Sequence, residues 1–271
     1  MSRNVFDDRI VGVLEQIISE SEGPTYVADP SADVVEALVD ALSMVEEPPE
    51  IRVLAHESAL KEVFEDFLVA SEAADHLDSG ALTLRVAADS TGNTTITSED
   101  GVTTVVNAGT RVGGLRTDDE QLIEAALSEM EERWSGADEY SLRTPAMTDI
   151  REQLVSDLEP DVEADFTGML DSLETARGDG SDLDEVTVSL LAAAKNEALL
   201  YDISRWGEDT GVASKATFSR TKSSLEDAGL IDTEKVPIEV GRPRLRLTLA
   251  DERLEDASPD QIAAAAQTVL N

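Results

Sequence analysis

No cysteine occurs among the 271 residues, so disulfides and thiolate metal sites are excluded and nothing points to an oxidising compartment. Histidine appears twice, aromatic residues make up 4%, and lysine is restricted to Lys61, Lys195, Lys215, Lys222 and Lys235. No apolar run approaches the roughly 18 residues of a membrane span, and the start MSRNVFDDRI carries acid too early for a signal peptide. A cytoplasmic chain without membrane contact is expected. The motifs G-x-x-x-x-G-K-[ST], H-E-x-x-H and G-x-S-x-G are also missing. No enzyme, no cofactor and no metal site is therefore expected. His56, at the end of a predicted strand, is the one catalytic candidate, and a structural histidine fits that position better.

Carboxylates are in excess instead. Against 58 Asp and Glu stand 21 Lys and Arg, a net charge of −37 spread along the whole chain. Self-repulsion of that size strains a compact fold unless concentrated salt screens it, which points to a halophilic cytoplasm. Global charge is then a poor guide to partners, because a nucleic-acid binder from such a cell cannot advertise itself by a basic balance. Local charge is the informative quantity.

Hydrophobic residues at 41% and a length of 271 suit two globular domains. Residues 1–145 alternate helical and strand patterns. Helices are predicted over Val5–Ile18, Asp33–Met44 (capped by Ser31), Glu57–Val69 and Asp118–Trp134 (capped by Thr117). Strands are predicted at Thr25–Val27, Ile51–Leu54 and Leu82–Val86, with a hairpin of Thr94–Ile96 and Val102–Val106. This order predicts an α/β domain with a mostly parallel sheet and an antiparallel edge, acting as a sensor or interaction module. The glycine-rich turn Val105–Leu115 offers Arg111, Gly113 and Gly114 as a seat for a small anionic metabolite, although a plain turn before a helix explains it as well. Residues 146–181 read as a helical connector broken at Pro160 and ending in the linker Arg177–Ser181. Its stripe Val162, Phe166, Met169, Leu170 and Leu173 suits packing within the chain or a homodimer contact equally.

Residues 182–271 run helix, helix, turn, helix, hairpin, then a C-terminal helix over Pro259–Leu270. Helices are predicted at Glu185–Ala194 and Leu199–Trp206, followed by a turn in which Gly211 can take a positive φ. Ser214 caps a third helix that ends at Gly229. At 100° per residue, Phe218 and Leu225 share the core side, and Ala216, Arg220 and Ser223 point the other way, flanked by Thr217, Ser219 and Ser224. No acid lies on that outer face before the last turn. A groove filled with phosphate accounts for such a gap in so acidic a chain. Beyond it, Val236, Ile238 and Val240 alternate against Leu245, Leu247 and Leu249, with Gly241-Arg242-Pro243-Arg244 at the tip and Arg246 facing outward. From Val212 to Thr248 seven basic residues meet five acids, a net +2 inside a chain at −37. A winged helix-turn-helix binding double-stranded DNA is predicted, with Ser214, Lys215, Ala216, Thr217, Ser219, Arg220, Lys222, Ser223, Arg242, Arg244 and Arg246 at the DNA. A homodimer placing two third helices in successive major grooves is the expected assembly.

The stretches SKATFSRTKSSLEDAGLI and VGRPRLRLTL resemble the winged-helix core of many archaeal and bacterial regulators. With NVFDDRI, GPTYVADPS and VNAGTRVGGLRTDD, the chain is similar over most of its length to the haloarchaeal TbsP family of transcriptional regulators. The resemblance implies promoter binding, and a link to sugar-metabolism genes alongside TrmB-type regulators, whether by repression or activation. Two departures stand out. Lys222 occupies a place usually aliphatic in winged helices. TrmB-type regulators carry the DNA-binding domain first, so their ligand residues do not transfer. Two other readings are a winged helix that contacts only another regulator, and a metabolite sensor with its anion in the N-terminal domain.

Overall fold

A computed structural model describes residues 4–88, 92–175, 183–238, 242–251, 254 and 256–270. The chain divides into two compact units, Met1–Met147 and Thr148–Asn271.

The first unit is built on an eight-stranded sheet. Its strands are β1 (Val5–Asp7), β2 (Thr25–Ala28), β3 (Ile51–Ala55), β4 (Leu82–Val86), β5 (Thr95–Ser98), β6 (Gly101–Asn107), β7 (Val112–Thr117) and β8 (Asp138–Glu139). Its helices are α1 (Ile10–Glu20), α2 (Ala32–Met44), α3 (Glu57–Val63), α4 (Phe67–Asp78) and α5 (Glu120–Gly136). The strand order is β1-β7-β6-β5-β2-β3-β4-β8. Only β2 with β3 and β3 with β4 are parallel; the other five pairings are antiparallel. The expectation of a mostly parallel sheet is corrected accordingly. Helical crossovers join neighbouring strands only among β2, β3 and β4, whereas β5, β6 and β7 follow one another through short turns, and such turns can connect only antiparallel neighbours.

Strand alternation sorts the core. Val27, Ile51, Val53, Ala55, Leu82 and Leu84 pack under α1 to α4, while Tyr26 and Ala28 face Met130 of α5. On that second face Arg52 lies over Tyr26, Tyr26 meets Trp134 edge-on, and Arg85 covers Trp134. Several expected elements shift. Val5–Asp7 is a strand on β7 rather than the first turn of a helix, and the predicted Glu57–Val69 helix breaks at Phe64–Asp66, where the Asp66 carboxylate caps α4. Asp119, not Thr117, caps α5.

The second unit comprises α6 (Met147–Asp157), α7 (Pro160–Thr175), α8 (Glu185–Lys195), α9 (Leu200–Thr210), α10 (Lys215–Asp227), β9 (Ile231–Val236), β10 (Arg244–Leu249) and α11 (Pro259–Leu270). The segment expected as a connector is part of this core. Val162, Phe166, Met169, Leu170 and Leu173 are all buried, with α7 packed on α8 and α11. Phe166 meets Trp206 edge-on, and the indole N–H of Trp206 donates to the Ile150 carbonyl at 3.3 Å. Lys195 and Asn196 at the end of α8 both donate to Asp165 of α7. The stripe's apolar area is thus satisfied inside the chain. The linker Arg177–Ser181 lies outside the described residues, as do Val240 and Gly241.

Candidate nucleic-acid interface

The second unit places α8, α9 and α10 as the three helices of a helix-turn-helix. Helix α8 is its axis, buried from Val186 through Ala194 on every side. Helix α9 ends at Thr210, and Gly211, at φ +85°, makes the left-handed turn that the sequence required. The expected start of that turn, Gly207, lies inside α9. A Cβ there would stand 2.1 Å from a ring carbon of Phe218 on α10, so glycine sets how closely the two helices approach. Ser214 then caps α10, its hydroxyl accepting the Thr217 N–H at 3.2 Å.

Phe218 and Leu225 of α10 are buried, and Ser214, Lys215, Ala216, Ser219, Arg220 and Ser223 are exposed; Thr217 is half-buried. The acid-free face is therefore the solvent face of the third helix. Arg220 sits in its middle and forms no ion pair among the described residues.

The wing differs from its predicted pattern. Strand β9 is Ile231–Val236, and Ile231, Thr233 and Lys235 oppose Leu249, Leu247 and Leu245. Val236 therefore shares the other face with Arg244 and Arg246, and Ile238 lies beyond the strand. A one-residue change of parity moves a side chain to the opposite face, and here Ile231, not Val236, joins the core. Leu199, predicted as the start of the second helix, makes an extended bridge to Arg246 instead.

Most of the cations are already paired. Lys215 donates to Glu208, Arg244 Nη1 to Asp202 at 3.4 Å, and Arg246 lies 3.6 Å from Glu197. Lys222 is only 12% exposed and donates to Glu226 at 2.6 Å, while Thr233 of the wing binds the same carboxylate. Lys222 is thus directed at the wing rather than at the outer face. Hydrogen bonding to Glu208 holds the Lys215 ammonium above its ordinary pKa, and hydrogen bonding to Lys222 holds Glu226 below that of a free carboxylate. The Arg244 guanidinium also lies 4.1 Å from the centre of the Tyr201 ring. Arg242 is exposed and, among the described residues, unpaired. Between α9, α10 and the wing lies a cleft of about 350 Å³, its polar lining from Tyr201, Ser204, Lys215, Ser219, Arg242 and Arg244 and its apolar lining from Leu200, Ile238, Pro243 and Leu245. Tyr201, Ser204, Asp202 and Glu208 were not foreseen, because a helical pattern marks α9 only by its apolar residues.

The other candidates fare differently. Gly113 and Gly114 lie within β7, paired to both β1 and β6, and a side chain at either would meet Phe6 or Val13 and Ile17. They serve close packing of a strand and lie outside the turn, which is confined to Ala108–Arg111. Arg111 lies 3.8 Å from Asp8 and is exposed. His56 is exposed at the start of α3 and its side chain makes no capping bond. His76 Nε2 lies 3.0 Å from Ser43 Oγ, a hydroxyl that also donates to the Val39 carbonyl, and burial lowers the histidine pKa. Among the described residues no group of His, Asp and Glu is placed to hold a metal ion, and no helix is long and apolar enough to cross a membrane.

Structural likenesses are distant. TrmBL2, described as an archaeal chromatin protein with a novel mode of DNA binding, is 15% identical over 51% of this chain and 54% of its own, with a TM-score of 0.36. This chain thus spans about half the length of that protein. Nuc, a phospholipase D family member of Salmonella typhimurium, is 13% identical over 52% of this chain and 97% of its own, at 0.35. NucT of Helicobacter pylori is 12% identical over 52% and 100%, at 0.36. No curated protein matches in sequence. Family models are decisive: the TbsP-like N-terminal domain matches residues 2–145, and the TbsP-like C-terminal helix-turn-helix domain matches residues 146–267. The chain belongs to the TbsP-like family of transcriptional regulators.

Proposed function

We propose that this regulator reads double-stranded DNA in sequence, with α10 in the major groove and Arg242 of the wing on the backbone, in the cytoplasm of a salt-rich cell. The observation that carries the reading is the exposed, acid-free face of α10 with Arg220 at its centre. The metabolic character of its targets rests on the family resemblance alone. Titration against operator and scrambled duplexes at one fixed KCl concentration tests the reading. Arg242→Ala should weaken both complexes alike and flatten the slope of log K against log[KCl] by about 0.9, the share of one phosphate contact. Unchanged affinity for both duplexes would remove the wing from the interface.

A homodimer is part of the proposal, but by a different surface from the buried α7 stripe. Phe6 and Val106 flank Gly113 on one face of the sheet, with Leu115 two residues further along; all three apolar side chains are exposed. The positions sharing that face (Asn4, Phe6, Thr104, Val106, Gly113 and Leu115) include no acid. A second chain carrying the same −37 can approach only where carboxylates are missing. The expected result is a dimer at molar KCl that dissociates and loses helical circular dichroism at 0.1 M, where the screening length grows from about 3 to about 10 Å. Light scattering that gives a monomer at molar KCl with DNA present rules out the dimer. A native spectrum in dilute buffer rules out the dependence on salt.

A further inference from the structure

The cleft between α9, α10 and the wing holds three cationic side chains, Lys215, Arg242 and Arg244, and two of them already have an anion. Asp202 comes from the first turn of α9 and Glu208 from its last. Each offers carboxylate oxygens to the same N–H donors that a phosphodiester oxygen would use. Resting on the DNA-binding reading above, we propose that this cleft seats a DNA phosphate and that Asp202 and Glu208 are built-in competitors for it.

Both pairs are about half-exposed: 44% and 48% for Lys215 and Glu208, 37% and 36% for Arg244 and Asp202. Exposed pairs of this kind contribute little to stability, so holding the fold together does not explain them. The core of the unit rests instead on Trp206, Phe166, Phe218 and Leu225, all buried. The Tyr201 ring holds the Arg244 guanidinium from one side, leaving its edge to Asp202 or to an incoming anion.

When a duplex approaches, one of two things happens. In the first, Lys215 and Arg244 exchange their carboxylates for phosphate, which leaves Asp202 and Glu208 uncompensated beside a polyanion. Otherwise the pairs persist and neither cation adds to binding. In both cases the carboxylates oppose the complex. Non-specific attraction is thereby held down, and the base contact from Arg220, which has no such competitor among the described residues, decides where the protein rests.

The test uses the full-length chain, a random-sequence 30-bp duplex as probe, and the variants Asp202→Asn, Glu208→Gln and their double. These changes remove charge and keep shape, and circular dichroism verifies folding. One unit charge about 4 Å from another in water is worth about fivefold in an equilibrium, so each variant should bind the random duplex about fivefold more tightly. The salt slope should steepen by about 0.9 for each cation released to phosphate. Affinity and slope unchanged, or affinity lowered, in folded variants while the unmodified protein binds the duplex overturns the competitor role and leaves the DNA reading intact. Tighter binding by only one variant assigns the role to that carboxylate alone and overturns it for the other. Failure of all four proteins to bind any duplex overturns both.

Discussion

Gly207→Ala should lower the unfolding free energy of the second unit by on the order of 1–3 kcal/mol, the usual cost of forcing an extra carbon into a packed core. The added Cβ would lie 2.1 Å and 2.4 Å from two ring carbons of Phe218, which is itself fully buried. Neither side can yield cheaply: Phe218 is fully buried on a helix that packs on α8, and Gly207 lies within a regular helix that ends at the left-handed Gly211. Helix α10 would have to move outward, and its outer face with it, so DNA binding should fall along with stability. Urea denaturation at constant KCl measures the first effect. Gly207→Ala combined with Phe218→Leu should recover part of the loss, because the leucine vacates the space that the new methyl needs. An unchanged urea midpoint for Gly207→Ala would show that the α9–α10 contact is looser than the geometry requires.

Arg220→Ala should erase sequence preference and leave most non-specific affinity. An arginine at the centre of a face otherwise made of Ala216, Ser219 and Ser223 is the one side chain there long enough to reach deep into a groove. Paired hydrogen bonds from a guanidinium to guanine discriminate by about 1–3 kcal/mol, or roughly 5-fold to 150-fold. Selection from a random duplex pool by the unmodified protein should enrich a motif, and the same selection by Arg220→Ala should return an unenriched pool. Binding to a scrambled duplex should change far less, since phosphate contacts elsewhere supply it. Should the variant enrich the same motif, the base-reading residue lies elsewhere on the face. Lys222 is a poor companion to Arg220 in this role. Its ammonium is held by Glu226 against Thr233, so Lys222→Ala is a change to the seam between α10 and the wing.

Much of the helix-turn-helix was legible because it depends on local rules. The position of Ser214 before a helical pattern, the glycine needed for a left-handed turn, and the 100° spacing that gathers Ala216, Arg220 and Ser223 on one side are all properties of a few consecutive residues. The same rules failed where a partner lies far along the chain. Gly113-Gly114 reads locally as a turn, yet it is a strand paired to β1 and β6, with glycine there because Phe6 and Ile17, about 100 residues earlier, approach too closely for a side chain. Val236 reads as the buried member of the wing, yet Ile231 takes that place because the ladder with β10 begins five residues earlier.

By itself, then, the sequence determined the absence of thiol chemistry, the order of the helix-turn-helix, and which face of α10 carries no acid, since each follows from composition or from the period of one element. Tertiary structure alone decided the direction of the sheet, the burial of the α7 stripe, and above all the electrostatic state of the interface. The +2 counted over Val212–Thr248 omits Glu197, Asp202 and Glu208, which precede that window and are brought to Arg246, Arg244 and Lys215 by the packing of α8, α9 and the wing. Coulomb interaction falls with distance in space and takes no account of separation along the chain, so no local window could show which cations were already taken.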